Sequence, residues 1–278
     1  MTVKIVTDST SDIPSEIAQA LGVTIVPVYV NFGSKSYRDR VDISEDELYQ
    51  KMVEGPVHPT TSAPSPGDFT EVYSRLARES NEIVSIMLSS KESAVYNSAL
   101  LGKETIKENC RIEVIDSQSV TMGLGFITMA AAKAAQDDAN IEEVVEVVRQ
   151  AIPQTHLHGA LDTPKYVLKG GRLGKTALSL GAMLKVKPIL TAREGEIKLA
   201  GLARTCNKAI ERLYEFVKKY LPIEELAIVY STTPEEAQSL AERMKPFIPG
   251  KQPLIARLGP ALGVHTGPGA LIVALRQA

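Results

Sequence analysis

Hydroxyl side chains crowd several short stretches of this chain. Thr60, Thr61 and Ser62 stand in a row just ahead of Ser65-Pro66. A helix start needs one hydroxyl. Ser65 meets that need, with Pro66 at the first helical position and Asp68 in the first turn. The three before it are surplus. A similar surplus follows three apolar runs: Asp8-Ser9-Thr10-Ser11-Asp12, Ser89-Ser90-Lys91-Glu92-Ser93 and Asp116-Ser117-Gln118-Ser119. These loops hold few cations, whereas a phosphate site calls for glycines, a helix N-terminus and a Lys or Arg. Hydroxyls both donate and accept, so such loops suit a carboxyl group or a carbonyl bound without a salt bridge. His265-Thr266 lie among Gly259, Gly263, Gly267 and Gly269, which let main chain approach a ligand closely. The same stretch also reads as a pair of tight turns before the last strand, with His265 merely satisfied.

Other motifs carry less. "KGGRLGKT" lacks the first glycine of a phosphate loop, because Lys169 stands there, and it follows a helix rather than a strand. Gly170-Gly171 read as a helix stop, with Arg172 an exposed arginine or a partner contact. His156 and His158 alternate on a strand and share one face, but no third ligand completes a metal site. There is no C-x-x-C, H-E-x-x-H or G-x-S-x-G. Asp8, after a strand, is compatible with an aspartyl nucleophile, so a stand-alone phosphotransferase or hydrolase stays open. A small-metabolite binder resembling the substrate domain of dihydroxyacetone kinase, where a His holds the ligand, also stays open.

These residues must be positioned by strands and helices in alternation. "VKIVT", "VTIVPVYV", "IVSIML" and "RIEVID" read as strands, separated by amphipathic helices. Ser44 and Glu47 form a capping box, Gly22 stops the first helix, and a helix runs from Gly67 to about Glu79. "NFGSKSYRD" reads as a hairpin turn. This rhythm implies right-handed crossovers and a mostly parallel sheet, whose ligands lie beyond the strands' carboxyl ends. The later sequence mixes hairpins with helices: "KPILTAREGEIKLAG" turns at Glu194-Gly195, and "ELAIVYS", "PLIARLG" and "GALIVAL" are strands. The expected fold class is α/β in two domains. Residues 1–152 form a mostly parallel α/β domain, and residues 153–278 an α+β domain with mixed or antiparallel pairing. "ALSLGAMLKV" and "MGLGFITMAAA" are apolar on more than one helical face, as core or as cavity lining.

Bulk properties narrow the function. With 278 residues the chain can bury a sizeable core. A net charge of −2 gives no broad attraction to nucleic acid or anionic lipid. Trp is absent and aromatics are scarce, which disfavours base stacking. Two distant cysteines, Cys110 and Cys206, fit a reducing compartment. No signal-peptide pattern opens the chain and no run approaches about 18 apolar residues, so a cytoplasmic protein is expected.

Six stretches together carry a family resemblance: "TDSTSDIP" at 7–14, "TSAPSPGDF" at 61–69, "LSSKESAVYNSA" at 88–99, "IDS" at 115–117, "GGR" at 170–172 and "HTGPGAL" at 265–271. In this order they resemble the DegV family. The resemblance implies two domains with one long-chain fatty acid in a tunnel between them. It implies a lipid-binding carrier, the fatty-acid-binding subunit of a bacterial fatty acid kinase, that is no enzyme by itself and needs no cofactor. A separate ATP-binding kinase would phosphorylate the presented carboxyl for phospholipid synthesis. By the same resemblance Thr61 and Ser93 bind the carboxyl, Ser62, His265 and Thr266 lie close, and Arg172 and Arg204 meet the kinase. The chain departs from the family pattern at Ala63 (Gln), at Ala94-Val95 (Gly-Thr), at Ile272 (Gly) and at Cys206-Asn207, which interrupt a basic run. Hydrogen bonds net about 1 kcal/mol each, whereas each buried methylene contributes about 0.8 kcal/mol. Affinity is therefore expected from the tail and orientation from the hydroxyls.

Overall fold

The computed structural model describes residues 2–107, 109–173 and 186–278. The chain begins with β1 (Lys4–Asp8), a 3-10 turn over Ser9–Ser11, α1 (Ser15–Ala20), β2 (Val23–Val26), β3 (Tyr29–Phe32) and β4 (Lys35–Arg38). Then come α2 (Glu45–Glu54), β5 (Thr60–Ser62), α3 (Pro66–Ala77), β6 (Glu82–Met87), α4 (Val95–Glu104), β7 (Arg111–Asp116), α5 (Met122–Gln136) and α6 (Ile141–Gln154). The remainder runs β8 (Thr155–Ala160), α7 (Lys165–Gly170), β9 (Lys187–Arg193), β10 (Glu196–Ala203), α8 (Cys206–Lys218) and β11 (Ile223–Tyr230). It ends with α9 (Pro234–Met244), β12 (Leu254–Arg257), α10 (Pro260–Thr266) and β13 (Leu271–Gln277).

Two large sheets organise these elements. Strands β2-β1-β6-β7 form a parallel sheet. Strands β10-β9-β8-β13-β11-β12 form a mixed sheet, antiparallel except for β11 beside β12. The α/β class with one parallel and one mixed sheet is thus what the strand rhythm implies. The residue pair Ile152–Pro153 falls in the last turn of α6, and β8 begins directly after that helix. Helix α5 packs against β1 on one side and β8 and β13 on the other. Its residues Met122–Ala132 are buried all round, because both faces meet a sheet. That is core packing and not cavity lining. Of "ALSLGAMLKV", residues 177–185 lie outside the described residues, as does the chain from Gly174 in "KGGRLGKT".

Local chemistry explains the boundaries. Ser44 and Ser65 both close capping boxes, with Glu47 and Asp68 reaching back to the cap N–H. The β9–β10 hairpin turns on Glu194 and Gly195, both at positive φ, the geometry of a tight two-residue turn. Helix α7 ends at Gly171 with φ of 71°.

Two expectations are corrected. "VTIVPVYV" is not one strand: Pro27 offers no N–H to a ladder, so β2 stays in the parallel sheet and β3 leaves it. A third sheet, β4-β3-β5, then forms, and Thr60–Ser62 is its edge strand, paired antiparallel with β3. Residues 260–266 are not turns but helix α10.

Candidate functional site

Most of the loop hydroxyls beyond the parallel strands are committed to the protein itself. Ser9 Oγ donates to Asp39 at 2.6 Å, Thr10 Oγ1 to Asp8 at 2.5 Å and Ser90 Oγ to Asp116 at 2.5 Å. Ser89 Oγ donates to the carbonyl of Gly195 at 2.6 Å, and Ser117 Oγ to that of Ser119 at 3.3 Å. Asp8 is fully buried and also accepts the N–H of Leu88 at 2.8 Å. Burial raises its pKa, against those hydrogen bonds. A carboxylate enclosed this way has no access to a phosphoryl donor, which argues against the aspartyl-nucleophile alternative.

What remains is a cavity of about 330 Å³ between these loops and the mixed sheet. This is at the lower end of the range for small-molecule pockets. Residues from before and after position 152 line it. The aliphatic wall includes Leu157, Leu161, Val167, Leu190, Leu258 and Ile272. Thr61, Ser62, Ser93, His265 and Thr266 all line the same space, brought together from β5, the loop before α4 and the last turn of α10.

Their geometry distinguishes them. Thr61 Oγ1 lies 2.9 Å from His265 Nε2. Side chains alternate along a strand, so Thr61 faces α10 while Ser62 is exposed and accepts from Asn31 Nδ2 at 3.1 Å. Ser93 Oγ accepts the N–H of Val95 at 3.4 Å, which leaves its own O–H to donate. Thr266 gives its proton to the carbonyl of Leu262 at 3.1 Å, so toward the cavity it can only accept.

His265 is the electrostatic centre. Burial, then Arg172 and His58, push its pKa down to about 4, so the imidazole is neutral at pH 7. Its Nδ1 is buried and has no hydrogen-bond partner among the described residues. The ring lies against Gly170, where any Cβ would overlap Nδ1. Gly267 is filled in the same way by the Tyr166 ring, which also stacks on His58 at 6.0 Å. Gly170 and Gly267 thus serve close packing of α7 on α10.

Arg172 lines the cavity although its side chain reaches solvent and donates to the carbonyl of Gly170 at 2.6 Å. Arg204 is exposed and is not among the cavity residues; it precedes Thr205, which caps α8. Three further polar residues line the cavity: Thr10 and Glu92, which the sequence marks only as members of hydroxyl-rich loops, and Thr121, which it does not single out. Glu92 has its pKa raised by burial and accepts the N–H of Ile197 at 2.8 Å, tying the β9–β10 hairpin to the loop before α4. Its signal was its place beside Ser93. His156 and His158 share a face as expected, but they stack on Tyr220 and Phe216 at 4.0 and 3.7 Å. Among the described residues no group of three or more His, Cys, Asp or Glu could hold a metal ion. Nor is any helix among them long and apolar enough to cross a membrane.

The fold and site define an α/β protein that encloses a mainly aliphatic pocket with a hydroxyl and imidazole cluster. The DegV family model, described as "Uncharacterised protein, DegV family", matches residues 2–277. The chain belongs to the DegV family. A DegV domain-containing protein of Caldanaerobacter subterraneus is 34% identical over 271 residues, covering 96% of each chain. Among solved structures, "Fatty Acid Binding of a DegV family Protein from Thermus thermophilus" superposes with a TM-score of 0.91 at 32% identity over 100% of both chains. A stearic acid-binding protein from Eubacterium ventriosum gives a TM-score of 0.88 at 28% identity, over 99% of this chain and 98% of that one.

Proposed function

We propose that this protein binds one long-chain fatty acid in the cavity and presents its carboxyl group to a separate ATP-dependent kinase. The observation that carries this reading is the composition of one cavity wall. Aliphatic side chains from the mixed sheet and α7 meet a group of hydroxyls and one neutral imidazole from β5, α10 and the loop before α4. Solved structures of relatives described as fatty-acid-binding support it.

In this reading Thr61 and Ser93 bind the carboxyl, with His265 beside them and Ser62 and Thr266 at the margin. His265 Nε2 accepts the Thr61 proton or donates to Thr61, and the other nitrogen takes the complementary role. A neutral ring and hydroxyls can hold a carboxyl in either protonation state, without an ion pair that would compete with its later phosphorylation. The tail supplies the affinity, at about 0.8 kcal/mol per buried methylene, offset by ordering of the chain.

The division into units 1–152 and 153–278, with the tunnel between them, is part of the same reading, as is a cytoplasmic location. The partner kinase makes the acyl phosphate for phospholipid synthesis, and the exposed Arg172 and Arg204 are its contacts. The protein has no phosphorylating activity of its own. Purified chain incubated with ATP and oleate is expected to form no acyl phosphate until a kinase of this type is added. Turnover by the chain alone would overturn the carrier assignment.

A further inference from the structure

The "TDSTSD" stretch is the longest run of buried polar residues among the described residues, yet of its residues only Thr10 reaches the cavity. One of its carboxylates, Asp12, and the carboxylate of Asp39 from the turn after β4 are directed at the start of α10. Asp12 Oδ1 accepts the N–H of Gly259 at 2.8 Å, and Asp39 Oδ1 accepts the N–H of Ala261 at 3.2 Å. Both are buried. Gly259 supplies no side-chain cap of its own, so these distant carboxylates take two of the donors that a helix start leaves unpaired.

The same carboxylates hold other parts of the site. Asp12 Oδ2 accepts from Thr121 Oγ1 at 2.6 Å. Thr121 lines the cavity at φ 50°, ψ −145°, a backbone setting a β-branched residue adopts only when held. Asp39 Oδ2 accepts from Ser9, whose Oγ accepts the N–H of Val28, itself a lining residue. Arg40 donates to Asp12 at 3.1 Å and to the carbonyl of Arg257, and pairs with Glu45 at 3.1 Å.

Helix α10 is short and has little room to move. Added atoms at Gly263 would meet Leu48 and Tyr49, and those at Gly267 would meet Tyr166. A displacement at its start is therefore transmitted along about 6–9 Å of helix to His265. We propose that Asp12 and Asp39 are positioning residues for the His265 imidazole, acting through α10. The assignment concerns where the ring sits, and it rests on the fatty-acid reading only for the use made of that ring.

The test is NMR of the histidine side chains in the full-length protein, stripped of co-purified lipid on a hydrophobic resin. The chain has four His, so His265 is assigned by His265→Gln. His156 and His158, stacked on the far side of the mixed sheet, serve as internal controls. In Asp39→Asn and Asp12→Asn the His265 ring signals are expected to shift or broaden while the controls stay. The wild-type His265 signals are also expected to show an inflection between about pH 6 and 7 that Asp39→Asn or Asp12→Asn alters. Asp39, whose pKa burial raises to about 7, faces Ser9, Arg40, Asp12 and the N–H of Ala261. Arg172 and His58 face His265 and are unchanged in that variant. If either Asp variant fails to fold, Ser9→Ala, which removes one hydrogen bond to Asp39, decides. His265 signals that superpose on wild type in the folded variants, or an inflection left unchanged by both Asp39→Asn and Asp12→Asn, would overturn the assignment. Failure of the fatty-acid reading leaves this outcome untouched, because no lipid enters the measurement.

Discussion

Thr61 and His265 are 204 positions apart in the chain and share a hydrogen bond of 2.9 Å at the cavity wall. The bond joins edge strand β5 to the last turn of α10. Thr61→Val keeps the shape and removes the hydroxyl. Since one hydrogen bond nets about 1 kcal/mol, fatty-acid affinity is expected to fall about fivefold, with Ser93→Ala similar. His265→Ala is expected to reduce kinase-dependent acyl phosphate formation more than binding. Equilibrium binding and turnover on the same preparations check this, and unchanged turnover in His265→Ala would remove the ring's assigned role.

Gly170 has no space for a side chain, because a Cβ there overlaps His265 Nδ1. Gly170→Ala is expected to displace the ring or lift α7. Overpacking of this kind costs about 1–3 kcal/mol. Thermal unfolding and lipid binding should therefore both weaken, binding by about tenfold or more. A variant with wild-type affinity would show that the contact between α7 and His265 does not matter for the site.

Stability should depend on pH with opposite signs at the two ends of α10. Burial raises Asp12 to about 6 and Asp39 to about 7, from an ordinary 3.8. A raised carboxyl contributes stability that is full below 3.8 and is lost as pH rises through the folded value. His265, lowered from 6.5 to about 4, contributes stability that is present above 6.5 and is lost as pH falls toward 4. The stability difference between wild type and Asp39→Asn should therefore shrink from pH 4 to 7. The difference between wild type and His265→Gln should grow from pH 4 to 6.5. Urea unfolding at several pH values measures both, and a reversed slope in either contradicts the burial argument.

If the tail supplies the affinity, chain length should matter more than the head group. Each added methylene is expected to tighten binding about fourfold until the cavity is filled. A calorimetric series of saturated acids of increasing length checks this. Affinity independent of length would mean that the aliphatic wall does not hold the ligand.

The parts of the fold readable in the sequence are those set by neighbours three or four residues away. The capping boxes at Ser44 and Ser65, the tight turn at Glu194-Gly195 and the apolar strand runs are of this kind. Strand β5 has three residues and exists through pairing with β3, so no local pattern announces it. Helix α10 is written "PALGVHT" between glycines and reads as turns, because its N-terminal partners, Asp12 and Asp39, are more than 200 residues away. Composition also cannot say which hydroxyls the protein uses internally. Ser9, Ser89 and Ser90 have the same types as Thr61 and Ser93 but are bonded to other parts of the chain.

One measurement bears most directly on the central claim that the cavity holds an acyl chain by its carboxyl end. The protein is purified from a bacterial host without detergent and extracted with organic solvent, and the extract is identified by mass spectrometry. The account predicts long-chain fatty acid at close to one molecule per chain, falling when Thr61 and Ser93 are both replaced by Val and Ala. A lipid-free extract, or a short polar metabolite in place of fatty acid, would contradict it.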